Sequence, residues 1–293
     1  MKPFRSMLFV PGSKQNWFSK VPTYGSDTII LDLEDSVPAQ MKAEARDYVS
    51  KAISSLTEQQ QRIYVRINKG PYGFDIDDLE AVIQPDLEGI VLPKIDGPED
   101  IDTVTSIVSE IEYRKNISIG STSYVATLET ARSIIMAYKI AIKNRVIALA
   151  GVSPKNGDVA RSVGYQWTVE GLERLYIRSK VVLAARAGNV IPIGGLWQDV
   201  HDLNGLREAA QFNRQLGFAG EMIVHPSNVA VVNEVYSLSD EQLAYYKGMV
   251  EAYEKAALGG SGAMIYEGEH IDLAHVKTAK QMLKWSGIDE YKE

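Results

Sequence analysis

The chain has 293 residues, 45% of them hydrophobic and 24% charged, which is enough apolar material for a large core and too much for a disordered segment. Lys and Arg number 31 against 38 Asp and Glu, a net charge of −7, so no basic face for nucleic acid or anionic lipid is expected. The absence of Cys removes disulfides, thiolate zinc sites, iron–sulfur clusters and cysteine nucleophiles together.

The opening MKPFRSMLFVPG has only four consecutive apolar residues before Pro11, too few for a signal-peptide core. No apolar run of about 18 residues follows, so a cytoplasmic protein without a membrane partner is expected. Short apolar and β-branched runs then recur at 7–10 (MLFV), 28–33 (TIILDL), 62–67 (RIYVRI), 89–93 (GIVLP), 123–128 (SYVATL), 146–150 (VIALA), 190–193 (VIPI) and 221–224 (EMIV). Most are continuous rather than alternating, the pattern of parallel strands buried on both faces. Helical stretches such as 42–56 and 100–113 lie between them, and gaps of roughly 20 to 45 residues suit β-helix-β crossovers. Eight such units predict an α/β (β/α)8 TIM barrel.

The clearest helix is predicted over 168–187, with Thr168 as N-cap and Gly188 past its end. Ser239 opens a capping box and a helix running to about 257. The run GGSG at 259–262 reads as a flexible break, after which a short apolar segment and an amphipathic helix around 275–285 complete the chain. The expected organisation is a barrel with flanking helices over 1–257 and a C-terminal helical lid or intersubunit arm over 258–293.

No nucleophile elbow, phosphate loop, zincin motif or dinucleotide fingerprint is present, and the four histidines show no ligand spacing. The stronger signal is charge at the strand ends, because a barrel gathers its active site there. Asp32, Glu34 and Asp35 end the second strand, Arg66 and Asn68 the third, Lys94 the fourth and Glu129 the fifth, and Asp158 lies in the loop after the sixth. Each has a plainer reading. Glu34 and Asp35 could cap a helix, Arg66 could pair with Glu34, Lys94 and Asp158 could be turn residues, and Glu129 could face a helix dipole. Their joint placement favours a site. Glu129 and Asp158 suit Mg2+, which takes few protein oxygens, and Arg66 offers a planar fork to a carboxylate. Together they could bind a 2-oxo acid, pointing to carbon–carbon bond cleavage or formation beside a carbonyl.

At these residues the sequence resembles the HpcH/HpaI aldolase and citrate lyase beta subunit family, in the branch of malyl-CoA, citramalyl-CoA and citryl thioester lyases. The resemblance spans nearly the whole chain, through RSMLFVPG (5–12), LDLEDSV (31–37), VRIN (65–68), VLPK (91–94), LETAR (128–132), YIRSKVVLAAR (176–186), LGFAG (216–220), VHP (224–226) and IDLAH (271–275). It implies a Mg2+-dependent barrel, a homotrimer or homohexamer, whose C-terminal segment covers a neighbour's site. It further implies that Glu129 and Asp158 hold the metal, that Arg66 grips the oxo-acid carboxylate, and that Glu34 and Asp35 support the site. Asp272 would protonate the thioester enolate. Phe9, Lys14 and Lys94 are the other candidate contacts to substrate or CoA.

Three departures stand out. The loop 151–164 (GVSPKNGDVARSVG) is longer than the family's and has Ser162 in place of its second aspartate. Ser13-Lys14-Gln15 stands where many relatives have an arginine and a proline, and IGGLWQD (193–199) differs from the citrate lyase pattern. The leading expectation is therefore a stand-alone Mg2+-dependent lyase splitting a 3-hydroxyacyl-CoA into an acyl-CoA and a 2-oxo acid. A metal-dependent aldolase on a free 4-hydroxy-2-oxo acid is the alternative, followed by an acyl-CoA thioesterase and a noncatalytic oxo-acid-binding paralogue.

Overall fold

The computed structural model describes residues 4–288, which form two compact units, 4–236 and 237–288. In the first, eight strands close into an all-parallel barrel: β1 (Ser6–Pro11), β2 (Thr28–Asp32), β3 (Ile63–Arg66), β4 (Gly89–Leu92), β5 (Ser123–Thr127), β6 (Val146–Ala150), β7 (Ile191–Gly195) and β8 (Gly220–Ile223). All eight predicted strands are present within two residues of their expected ends. A two-residue hairpin, Lys69–Gly70 against Gly73–Phe74, follows β3 and was not foreseen.

Alternation along each strand sorts side chains between two cores. Met7, Ile30, Tyr64, Val91, Val125, Ala148, Ile193 and Met222 fill the barrel, while Leu8, Ile29, Leu31, Val65, Ile90 and Leu149 pack outward under the helices. The helix Lys42–Glu58 shows the complementary period, burying Ala45, Val49, Ile53 and Leu56 at spacings of three and four. Continuing the inward face of a strand upward gives Ile30 then Asp32, and Tyr64 then Arg66. The register of β2 against β3 sets Asp32 beside Arg66. Gly12 permits this tight layer, because a Cβ there would meet the Asp32 carbonyl oxygen at 2.7 Å.

One outward position carries charge. Glu221 on β8 is fully buried, and its Oε1 accepts from Asn213 Nδ2 at 2.8 Å and from the Tyr236 hydroxyl at 2.7 Å. Burial pushes its carboxyl up to about 7, against the opposing pull of those two donors. The folded chain then keeps a proton that the unfolded chain releases, so stability falls as pH rises from the ordinary carboxylate range towards 7. The total is on the order of 3 kcal/mol. Glu221→Gln should flatten this fall, read as a smaller difference in urea-unfolding free energy between pH 5 and pH 8 than the native chain shows. An equal difference would mean that Glu221 is already ionised at pH 5.

The helix predicted from Thr168 starts instead at Leu172, after Gly171 in the left-handed region (φ 71°). The Thr168 hydroxyl is engaged by Glu173 and by the Gly171 N–H, and so caps nothing.

The second unit comprises the helix Asp240–Leu258, an antiparallel hairpin of Ala263–Tyr266 with Glu269–Asp272, and the helix Leu273–Trp285. Ser239 makes the predicted capping box with Gln242. The helix Asp240–Leu258 shares a core of Met249, Val250, Ile271, Val276, Ala279 and Leu283 with the tail. The unit therefore begins at 237, not at the expected 258. The 259–262 run is no loose break either, since Gly259, Gly260 and Ser261 return backbone N–H groups to the helix end. Among the described residues no helix is long and apolar enough to cross a membrane.

Candidate active site

The C-terminal ends of β2 to β6 bring Asp32, Glu34, Arg66, Glu129 and Asp158 into electrostatic contact, with Lys94 and Asp35 at the rim. Arg66 is held by Asp32 through two parallel bonds, Nε to Oδ1 at 2.7 Å and Nη2 to Oδ2 at 2.8 Å, and its Nη1 lies 3.1 Å from Glu34 Oε2. Its guanidinium carbon sits 4.6 Å from the centroid of the Phe9 ring. Asp32 is fully buried and also accepts from the backbone N–H of Glu34 and Ser36 and from the Ser36 hydroxyl. Burial pushes its carboxyl up, but the bonds from Arg66 and Ser36 outweigh it and the net direction is down. Arg66 is thus preorganised, with Asp32 along one edge of its fork and Glu34 beside Nη1, so a substrate carboxylate would share the Nη1 end with Glu34.

Lys94 adopts a left-handed conformation (φ 51°) and places Nζ 2.6 Å from Glu34 Oε1 and 3.1 Å from Asp35 Oδ1. Glu34 is buried, whereas the Asp35 side chain is 60% exposed. Lys42 fixes the backbone of this turn, donating from Nζ to the carbonyls of Leu33 and Glu34 at 2.6 Å and to Asn68 Oδ1 at 2.7 Å. Asn68 in turn bonds Leu33 O and Asp78, so it ties elements together instead of facing the site. Sequence reasoning gave no role to Asp32 or Lys42. Only the barrel register reveals the first, and only the packing of the helix Lys42–Glu58 the second.

Glu129 follows β5 and is 7% exposed, with no ion-pair partner among the described residues. Thr130, not Glu129, caps the helix Ala131–Ile135, which leaves the carboxylate to the site. Burial pushes the Glu129 carboxyl up to about 7. The Thr127 hydroxyl opposes this, the like charges of Glu34 and Asp158 add to it, and Arg66 subtracts. Asp158 is the first residue of the helix Asp158–Val163 and pairs with Arg161 one turn on. Ser162, on the same short helix, accepts a bond of 2.9 Å from the N–H of Ala131 and so ties the Asp158 helix to the one after Glu129.

A buried carboxylate raised by two acidic neighbours is the electrostatic condition a cation relieves. Among the described residues no group of three or more His, Cys, Asp and Glu is placed to hold a metal ion. Two carboxylates nevertheless match Mg2+, which is commonly bound through one or two and keeps water and substrate oxygens in its remaining positions.

Two further predicted residues have local contacts of their own. Lys14 is exposed ahead of the four-residue helix Gln15–Phe18. Asp272 lies in the second unit, where it caps the helix Leu273–Trp285, accepting from the Ala274 N–H at 2.9 Å and pairing with His275. The His275 bond first, and the Ala274 bond after it, hold its carboxyl below the usual range.

A closed parallel barrel with buried carboxylates and an arginine at the strand C-terminal ends is a TIM-barrel enzyme site. Residues 5–226 match the HpcH/HpaI aldolase/citrate lyase family, to which the chain belongs, and the family places it among carbon–carbon lyases. It is 31% identical to the L-malyl-CoA/beta-methylmalyl-CoA lyase of Cereibacter sphaeroides, over 97% of this chain and 94% of that one. It is 28% identical to a (3S)-malyl-CoA thioesterase of the same species, over 96% and 94%. Among solved structures, the protein CitE from Mycobacterium tuberculosis, in complex with magnesium, acetoacetate and coenzyme A, superposes with a TM-score of 0.75. It is 26% identical, and the match covers 97% of this chain and 98% of that one.

Proposed function

We propose that the chain is a Mg2+-dependent lyase that splits a short 3-hydroxyacyl-CoA, of the malyl-CoA or citramalyl-CoA type, into an acyl-CoA and a 2-oxo acid. The observation that carries this reading is Glu129, buried beside Asp158 and Glu34 and within the field of a preorganised Arg66. Glu129 and Asp158 would hold the metal, which when bound supplies a Lewis acid for the carbonyl oxygen of the oxo acid.

The chain's own residues do the rest. The Nη1 side of Arg66 orients the oxo-acid carboxylate, and Asp32 prevents the fork from turning. Loss of the 3-hydroxyl proton lets its oxygen form the carbonyl of the 2-oxo acid. The electrons of the broken carbon–carbon bond pass to the thioester as an enolate, which a proton on carbon quenches. Lys94, held by Glu34 and Asp35, offsets part of the acidic charge of this rim, and Lys14, exposed and without an ion-pair partner among the described residues, is a cation for a CoA phosphate. Phe9 braces Arg66 from beneath. In this reading the second unit is a lid or intersubunit arm delivering Asp272, which would give up its pairing with His275 to serve as the acid, in a homotrimer or homohexamer.

Asp272→Asn tests the delivery. Asn is as good an N-cap as Asp, so the unit should stay folded. A proton-donor role then predicts a fall in kcat of about 10²–10⁴-fold with unchanged melting temperature. An unchanged kcat would make Asp272 a cap and nothing more.

A further inference from the structure

Between the barrel wall and its helical layer lies a cavity of about 180 Å3, bounded by the helices Leu172–Ala187 and Leu203–Leu216 and by β7 and β8. Its lining is unusual for the number of polar groups left without partners. Arg178 is only 7% exposed, yet it makes no hydrogen bond or ion pair among the described residues, and its guanidinium carbon lies 5.9 Å from the centroid of the Phe212 ring. The indole N–H groups of Trp167 and Trp197 and the Oδ1 of Asn213 are buried with no hydrogen-bond partner. Both donors to Glu221 reach Oε1, while Oε2 faces Gly194 and Gly195, where an added Cβ would lie 3.2 Å from it. The neighbouring Arg174 is the contrast, since Glu173, the Thr168 carbonyl and the Trp167 ring saturate it.

Buried polar groups are nearly always paired, and a buried guanidinium without a counter-ion in contact is costlier still. Here the unpaired donors and the unpaired acceptors meet around one space. A planar fork selects a carboxylate, and the Asn213 oxygen, joined by Glu221 once its carboxyl has lost its proton, selects a hydroxyl or ammonium donor. At about 30 Å3 for each water in the liquid, the space suits an organic acid of a few carbons.

We propose that this cavity is a second small-molecule site, separate from the barrel mouth, which takes a short hydroxy- or amino-carboxylate. Its carboxylate is held by Arg178 and the indole N–H of Trp197, and its donor by Glu221 and Asn213. The inference stands on these contacts alone and is independent of the reaction at the barrel mouth.

The test uses the full chain carrying Glu129→Gln in the presence of chelator, so that the metal site contributes no binding. Tryptophan fluorescence is followed on titration with L-malate, L-aspartate and butyrate, since Trp167 and Trp197 line the cavity. A saturable change with malate or aspartate is expected, with butyrate, which lacks the donor, at least about tenfold weaker. Arg178→Gln should weaken binding by about 10–100-fold, the loss of a charge-assisted pair. Ala209→Met, which fills the cavity and leaves every polar group in place, should abolish it, and keeps the test valid should Arg178→Gln fail to fold. No saturable change with either acid would overturn the proposal, leaving a cavity that holds water only. Binding that survives Ala209→Met would overturn it as well.

Discussion

Glu129→Gln should reduce turnover by about 10³-fold or more while leaving circular dichroism and quaternary state unchanged. The magnitude follows from the several kcal/mol that a metal Lewis acid contributes to a developing oxyanion, at about 1.4 kcal/mol per tenfold. The specificity of the effect follows from the site. Glu129 is buried, is not a helix cap and has no ion-pair partner among the described residues, so a neutral isostere removes a charge without breaking a structural bond. The same substitution should weaken Mg2+ binding in a calorimetric titration, because one of only two proposed ligands becomes a poor donor. Turnover within about threefold of the native chain would sink the assignment of Glu129 to the metal.

The second large effect is expected at Arg66. Lysine keeps the charge but cannot reproduce two parallel bonds to Asp32 together with the contact to Glu34. Arg66→Lys should therefore lower kcat/KM by about 10²–10³-fold, because the substrate carboxylate loses its oriented partner. It should also lower stability by about 2–3 kcal/mol, because buried Asp32 loses charge-assisted bonds. Asp32→Asn separates the two roles. It leaves the guanidinium present but loosens its orientation, so the KM for the thioester should rise while the enzyme stays active. If Asp32→Asn leaves KM unchanged, Asp32 serves folding alone and the positioning role is wrong.

The barrel was legible in the sequence for a physical reason. Strands such as Thr28–Asp32 and Gly89–Leu92 are buried on both faces and must be apolar throughout. The tail hairpin was not, because its first strand, Ala263–Tyr266, reads only as a short apolar segment and its second, Glu269–Asp272, is mostly polar and half exposed. The strand-end charges could be read from position, and the structure does bring Glu34, Arg66, Glu129 and Asp158 together. What could not be read was which of them touch. Asp32 and Arg66 lie 34 residues apart and become neighbours only through the register of β2 on β3. The cavity around Arg178 was hidden for a related reason. An arginine within a helix and a glutamate within an apolar strand look like surface charges until the helix packs on that strand.

The central claim is a metal-dependent cleavage of a CoA thioester, and the release of 2-oxo acid tests it most directly. The full chain would be assayed with Mg2+, and again with chelator, on malyl-CoA and citramalyl-CoA beside free 4-hydroxy-2-oxo acids, with free thiol counted in parallel. The account predicts chelator-sensitive release of the 2-oxo acid from the thioesters, without free thiol and without turnover of the free acids. Release from the free acids alone, or thiol release with no 2-oxo acid, would contradict it.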